Sequence, residues 1–287
     1  MSETVDIIRS VAELRARVRY WRDQGLSVAL VPTMGALHDG HLTLVKAALE
    51  LADRVVTSVF VNPTQFGPNE DFSRYPRQEE QDAGLLADGG CHVLYAPTVT
   101  EMYPAGFATS IHVGAVSEGL CGDIRPGHFD GVATVVTKLL LQCQPHLALF
   151  GEKDWQQLTV LRHLVRDLDL PVEVVGVPTV REVDGLARSS RNAYLSAAER
   201  SIAPVLFKVL NQIADGLRQG GAAEELCRQG IAQVLEAGFL SVDYLEVRAA
   251  DTLERLTRLD QPARILVAAR LHGARLIDNL AVEPAHA

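Results

Sequence analysis

The sequence predicts an α/β protein, with a doubly wound, mostly parallel sheet domain followed by a smaller α+β C-terminal domain. Three observations carry this. Apolar runs rich in β-branched residues alternate with amphipathic segments of helical period through the first two thirds of the chain. Those runs are apolar throughout, as strands covered on both faces require. Near residue 190 the pattern changes to two helical stretches and then short alternating strands.

Taken in order, "MSETVDIIRSVAELRARVRYWRDQG" mixes charges through an amphipathic helical pattern. Residues 28–31 (VALV) read as a strand, 40–52 as a helix, 55–61 (VVTSVFV) as a strand and 78–88 as a helix. Then 91–95 (CHVLY) read as a strand, 130–143 as a helix, 146–150 (HLALF) as a strand, 154–168 as a helix and 172–177 (VEVVGV) as a strand. "SAAE" at Ser196–Glu199 has capping-box spacing and opens a helical stretch running to about 217, followed by another from about 222 to 237. "VDYLEVRA" and "ARILVAARLHGARLIDNL" supply the last strands, with a His272-Gly273 turn between two of them. Rossmann-like sheets of the first kind bind ligands outside the carboxyl ends of their strands, near the switch in strand order. The turns that follow strands are therefore where chemistry is expected.

At 287 residues and 47% apolar content the chain has ample material for a buried core. Its formal charge of −9 argues against a sequence-independent grip on nucleic acid, which needs a basic face. An anionic substrate must then be held by local cations and donors. Cys91, Cys121, Cys143 and Cys227 show no CxxC spacing and are too sparse for a disulfide framework, so a reducing, cytoplasmic setting is expected. No apolar run approaches the roughly 18 residues of a membrane span.

In "VPTMGALHDGHL" Pro32 is read as ending a strand, Gly35 and Gly40 permit close backbone approach, and His41 falls in the first helical turn. Free amide N–H groups and the positive helix end would make an anion site there, with His38 and His41 as neutral donors. The alternative is two helix-terminal histidines satisfied locally. Zinc is disfavoured, because HxxH supplies two ligands and there is no HExxH arrangement. In "GEKDWQQL" Gly151 permits a tight turn, Lys153 is a point charge at a strand end, and Asp154 could cap the helix carrying Gln157. "GLARSSRNAYLS" reads as a loop in which Ser189, Ser190 and Arg191 gather donors, able to close over a triphosphate or serve as an ordinary polar linker. Asn62 and Gln65 in "NPTQF" suit a hydroxyl or carboxylate, with Phe66 as an apolar wall, or form an Asn-Pro turn with a satisfied Gln. Arg125, Gly127 and His128 either line a site or start a helix.

With these segments read, the chain resembles the pantothenate synthetases, the pantoate-β-alanine ligases of the HxGH nucleotidyltransferase superfamily. The matching blocks are "PTMGALHDGHL", "VFVNPTQF", "RYPR", "RPGHFDGV", "FGEKDWQQL", "VGVPTVRE" and "SSRN", in the family's order. HxGH alone indicates a nucleotide; its joint occurrence with the others is far more specific. The resemblance implies that pantoate attacks the α-phosphate of ATP to give pyrophosphate and an enzyme-bound pantoyl adenylate, from which β-alanine displaces AMP to give pantothenate, a coenzyme A precursor.

By the same resemblance Met34, Gly35, Ala36, Leu37, His38, Asp39, Gly40 and His41 match the ATP loop, with His41 as proton donor. Gly151, Glu152, Lys153, Asp154, Val180, Arg188, Ser189, Ser190 and Arg191 match further ATP contacts. Gln65 and Gln157 match pantoate contacts, Gln65 also lies near β-alanine, and Asn62 is carried over as a pantoate-pocket residue. His38, Lys153, Ser189, Ser190 and Arg191 join His41 as the groups expected to stabilise developing charge. Thr64 stands where the family often has Met, and Arg188 where Leu or Met commonly precedes SSRN. Implied as well are Mg2+ held mainly through the triphosphate, a homodimer, a catalytic domain over residues 1–182, and a lid domain over 183–287. An HxGH transferase that stops at adenylylation, a nucleotide-binding regulator without turnover, or structural histidines are the competing readings.

Overall fold

The computed structural model describes residues 4–68 and 70–284. The chain divides into two compact units, Met1–Glu152 with Val160–Pro178, and Lys153–Thr159 with Thr179–Ala287. The division falls at 178/179, and residues 153–159 group with the second unit.

The first unit opens with β1 (Asp6–Ile8), α1 (Val11–Asp23), β2 (Val28–Thr33), α2 (Asp39–Leu51), β3 (Arg54–Val59), α3 (Glu79–Asp88) and β4 (Val93–Tyr95). It continues with two single-turn helices, α4 (Val99–Met102) and α5 (Cys121–Ile124), then α6 (His128–Cys143), β5 (Leu147–Gly151) and β6 (Glu173–Val177), with α7 (Trp155–Asp167) between the last two strands; residues 155–159 of α7 group with the second unit and 160–167 with the first. The six strands form one sheet in the order β1-β4-β3-β2-β5-β6, every pairing parallel. Strand order switches between β2 and β5. Because all strands run the same way, the segments after Thr33, Val59 and Gly151 leave from one edge of the sheet.

Both faces are covered, as the apolar runs require. Ala29 and Val31 of β2 join Val55, Leu94 and Leu149 in a core closed by Leu44, Val45 and Ala48 of α2 and Leu86 of α3. Val28 and Leu30 alternate to the opposite face and are equally buried, where α1 and α6 contact β2. β2 runs through Pro32 to Thr33 instead of ending at the proline. Its pairing with β5 stops at Leu30, so Pro32 lies where β3 is the remaining neighbour and the missing N–H breaks no rung to β5.

β1 was not distinguishable from the amphipathic stretch that contains it. It is three residues long and pairs with β4 at the sheet edge. A capping box separates it from α1, with Ser10 accepting from Glu13 N at 3.2 Å while Glu13 Oε2 accepts from Ser10 N.

The second unit holds α8 (Ala197–Ile202), α9 (Val205–Arg218), α10 (Ala223–Glu236) and an antiparallel sheet of β7 (Ser241–Ala249), β8 (Ala263–Arg270) and β9 (Arg275–Val282). The stretch expected as one helix to 217 is two, because Pro204 cannot continue α8 and becomes the N-cap of α9. Leu206, Leu210 and Ile213 of α9 and Val234 of α10 pack with Leu245, Ile265, Val267 and Leu276 of the sheet. Glu199 accepts from Ser196 N at 2.9 Å and from Gly273 N at 2.8 Å, tying the start of α8 to the β8–β9 turn. These backbone donors, Ser196 first, hold its carboxyl down at about 2.

Asp278 of β9 is 5% exposed, and burial pushes its carboxyl upward. Arg181 answers with Nη1–Oδ2 at 2.6 Å and Nη2–Oδ1 at 2.9 Å, while its guanidinium stacks 3.8 Å from the Phe207 ring centroid.

Arg181→Met should destabilise the protein by about 3–5 kcal/mol, since it strands a buried carboxylate; urea unfolding measures this, and a loss below ~1 kcal/mol would contradict it. Glu199 has a depressed pKa, so its contribution is complete above the ordinary carboxylate value and disappears as pH falls toward about 2. Glu199→Gln should therefore flatten the acid limb of the stability-versus-pH curve, which thermal melts at stepped pH would reveal.

Candidate active site

In the first unit the β2–α2 connection is shaped by a buried carboxylate. Asp82 of α3 is 1% exposed and accepts from Ala36 N (3.0 Å, Oδ2) and Leu37 N (2.8 Å, Oδ1). Burial raises its pKa, and these two amides work against the rise. Gly35 (φ +81°) and Ala36 (φ +52°) both take left-handed backbone, and a Cβ on Gly35 would lie 3.0 Å from Asp82 Oδ2.

His38 is the N-cap of α2 and His41 its third residue, joined in a reciprocal capping box. His38 Nδ1 accepts from Gly40 N at 3.1 Å, and His41 Nδ1 accepts from His38 N at 3.3 Å. A ring nitrogen that accepts an amide proton carries none itself, so both imidazoles are neutral tautomers with the proton on Nε2. The rings lie 4.1 Å apart at 39°. Local satisfaction and donor capacity, alternatives at the level of sequence, thus coexist in the same two side chains.

Five amides of the expected cradle are engaged by side chains of the protein itself. Gly35 N is taken by Thr33 Oγ1, Ala36 N and Leu37 N by Asp82, His38 N by His41 and Gly40 N by His38. The positive end of the helix dipole lies at the same turn.

At the end of β3, Asn62 is 1% exposed and caps the 3-10 turn Pro63–Gln65. Its Nδ2 donates to Gly131 O (3.1 Å) and to Gln65 Oε1 (3.0 Å). The turn sits directly on α6: a Cβ at Gly131 would lie 2.4 Å from Thr64 O. Gln65 O is held from below by His128 Nδ1 at 2.9 Å and Arg125 Nη2 at 3.3 Å. Arg125 in turn forms a bidentate pair with Glu70, both contacts at 2.6 Å. Burial works against the Glu70 charge, but Arg125 prevails and its carboxyl falls to about 2. Arg125 and His128 therefore act on the backbone of Gln65, and Gly127 (φ +77°) starts α6. Phe66 packs on Phe72 and Tyr75, with centroids at 5.3 and 5.9 Å. Gly151 is the last residue of β5 rather than a turn residue, and Glu152 begins a 3-10 turn.

In the second unit, Lys153 O accepts from Asn279 Nδ2 at 2.9 Å, and Arg264 donates to the same amide's Oδ1 at 2.9 Å while stacking 3.5 Å over Trp155. Trp155 Nε1 donates to Ala250 O at 3.0 Å. Asp154 ends the 3-10 turn and pairs with Lys153 Nζ at 3.6 Å, and Gln157 lies in the first turn of α7. Val180 and Arg188 face each other across a short ribbon, with Arg188 N donating to Val180 O at 2.9 Å and the Arg188 side chain 3.2 Å from Glu182. The "SSRN" segment, expected as loop, is a 3-10 turn over Ser190–Tyr194. Ser189 caps it by accepting from Arg191 N, and Asn192 anchors the turn on Ala187 O.

Asp82, Tyr103 and Asn279 were missed by sequence reasoning. The signal for Asp82 was an acidic residue four before Leu86 on the buried stripe of α3; Asn279 and Tyr103 had none beyond their residue type. Among the described residues, no group of three or more His, Cys, Asp or Glu could hold a metal ion. No helix among the described residues is long and apolar enough to cross a membrane, and the four cysteines are buried thiols outside any disulfide.

Comparison with known proteins points to one family. The family model for pantoate-beta-alanine ligase matches residues 6–281. A pantothenate synthetase of Paramagnetospirillum magneticum is 66% identical over 99% of this chain and 100% of its own length. The crystal structure of pantothenate synthetase from Thermus thermophilus superposes with a TM-score of 0.91 at 51% identity, covering 98% of this chain and 100% of that one. A pantoate-beta-alanine ligase from Francisella tularensis, complexed with beta-gamma ATP and beta-alanine, reaches 0.81 at 34% identity over 96% of this chain and 97% of that one. With its strand-end histidine pair, its Asn62–Gln65 turn and full-length matches of this strength, the chain belongs to the pantoate-β-alanine ligase family.

Proposed function

We propose that this chain activates the pantoate carboxylate with ATP, forming an enzyme-bound pantoyl adenylate and pyrophosphate, and then transfers the pantoyl group to β-alanine. The observation that carries the reading is the reciprocal imidazole cap, which sets two neutral Nε2–H donors at the carboxyl edge of the sheet beside the strand-order switch. Displacement at phosphorus asks little covalent chemistry of a protein, so positioned donors and cations supply the rate enhancement.

His41 is assigned as the donor whose hydrogen bond strengthens as charge develops on the phosphate, with His38 beside it. Lys153, Ser189, Ser190 and Arg191 are assigned to the triphosphate. Met34–His41, Gly151–Asp154, Val180 and Arg188 are assigned to the rest of the nucleotide. Gly151 supports this, since a Cβ there meets nothing of the chain within 4 Å and leaves room for a ligand. Gln65, Gln157 and Asn62 are assigned to pantoate, and Gln65 also to β-alanine. Mg2+ belongs to the reading as a companion of the triphosphate, whose charge it would neutralise when bound. The C-terminal domain is assigned the role of a lid. A homodimer in the cytoplasm completes the reading.

Pantoate-dependent exchange of pyrophosphate into ATP, and AMP release that needs β-alanine, test the whole scheme; adenylylation without amide formation would replace it by a simple transferase. His41→Ala should lower exchange by about a hundred- to a thousandfold, as loss of one transition-state donor does, while the lost cap costs stability only about 0.5–1 kcal/mol. Normal exchange in that variant would end the assignment. Asp82→Asn places an amide NH2 against one of the two loop amides and should cost about 1–3 kcal/mol of stability, together with a raised KM for ATP. Equal stability and KM by urea unfolding and steady-state kinetics would show that the carboxylate does not hold the loop.

A further inference from the structure

The amide of Gln65 has two chemically opposite ends, and the surrounding structure decides which one faces outward. Thr64 N can only donate, and it points at Asn62 Oδ1 from 3.3 Å. That fixes the Asn62 amide, so its Nδ2 faces Gly131 O, which can only accept, and Gln65 Oε1. Gln65 is thereby fixed in turn. Its carbonyl end is consumed by Asn62, and its Nε2 end lies 3.1 Å from Met34 Sδ, a weak acceptor that a substrate oxygen would readily replace.

The buried end of this relay is closed by a residue outside every motif. Tyr103 Oη donates to Asn62 Oδ1 at 2.8 Å and lies 3.4 Å from Thr64 Oγ1, which itself reaches Asn62 Oδ1 at 3.0 Å. The Tyr103 ring is held by Phe60 and Phe107, at centroid distances of 6.2 and 5.0 Å, with Lys138 Nζ 4.7 Å from the Phe107 ring. Burial raises the Tyr103 pKa, with Thr64 opposing, so the hydroxyl keeps its proton across the working range.

We propose that Tyr103, with Thr64, is a positioning residue that locks the Asn62 amide and so makes Gln65 present N–H, rather than C=O, to an oxygen of the pantoate substrate. The inference rests on the assignment of Gln65 to pantoate made above. A turned Gln65 amide would set a carbonyl against a carboxylate or a hydroxyl lone pair and repel it. Thr64 then has a role in this chain: it supplies the second hydroxyl of the lock.

The test compares the unaltered protein with Tyr103→Phe, Thr64→Val, Gln65→Ala and the Tyr103→Phe/Gln65→Ala double variant, in pantoate-dependent pyrophosphate exchange. Tyr103→Phe keeps the ring and removes the hydroxyl. It should raise the KM for pantoate about three- to tenfold, the effect of one hydrogen bond, with the KM for ATP and the melting temperature little changed. Thr64→Val should shift the same constant in the same direction, which covers the case of a poorly folding Tyr103 variant. In the Gln65→Ala background Tyr103→Phe should add nothing, whereas a merely structural tyrosine would add its effect again. An unchanged pantoate KM in both hydroxyl variants, or an undiminished effect without Gln65, overturns the proposal and leaves the ligase reading standing. Absence of pantoate-dependent exchange in the unaltered protein overturns the ligase reading and this inference together.

Discussion

The first unit's chemistry depends on one constraint, the satisfaction of backbone amides between β2 and α2 by side-chain acceptors. Two left-handed residues, Gly35 and Ala36, turn the chain so that its N–H groups point inward. Asp82 takes two of them and the histidine pair takes two more. An unsatisfied buried amide costs about 1–3 kcal/mol, so the loop has one good shape rather than several. That shape defines the imidazoles. Each accepts an amide through Nδ1, and the proton is left on Nε2, the nitrogen farther from the backbone. The backbone has therefore already selected the tautomer of both side chains at this helix start.

A second chain of constraints fixes Gln65, and it reaches the residue by two routes. The side chain is oriented through Asn62 and the hydroxyls behind it. The main chain is held at its carbonyl by His128 and Arg125, and Arg125 is braced by Glu70. Gly131 is needed where these routes meet, because any Cβ there would collide with the Thr64 carbonyl. The "RPGHFDG" block is thus support for "NPTQF". Their joint appearance in the sequence reflects one packed assembly on α6 rather than two separate sites.

Much of the fold was legible because burial on both faces leaves an unambiguous record: β2, β3 and β5 are continuous apolar runs, and α2, α6 and α9 carry clear apolar stripes. Residues presented at strand ends were legible for a related reason, since glycines and turn residues mark where strands stop. What escaped was support from a distance. Asp82 looks like one more charge in "RQEEQDAG", and only its place on the Leu86 stripe separates it from Glu79 and Glu80. Tyr103 lies in a segment whose one helical turn, α4, is too short to leave a period. The engaged amides of the β2–α2 turn escaped for the same reason, since local pattern shows which amides a helix start exposes and cannot show which distant acceptor has claimed them.

The second unit follows the same logic with a different partner. Lys153 follows β5 directly in sequence, yet its carbonyl is fixed by Asn279, more than a hundred residues later. Asn279 is itself oriented by Arg264, because a guanidinium can only donate and so selects the carbonyl end of the amide. Beside it, Asp278 is neutralised by Arg181. Neighbouring residues of β9 thus hold both the turn that carries Lys153 and the start of the ribbon that leads to Ser189. An amide or carboxylate is well suited to this role, since its directional lone pairs and protons accept only one orientation, where an apolar contact would tolerate many. The buried polar groups of this chain accordingly lie where orientation matters, and the apolar core elsewhere supplies the stability that allows them to be buried.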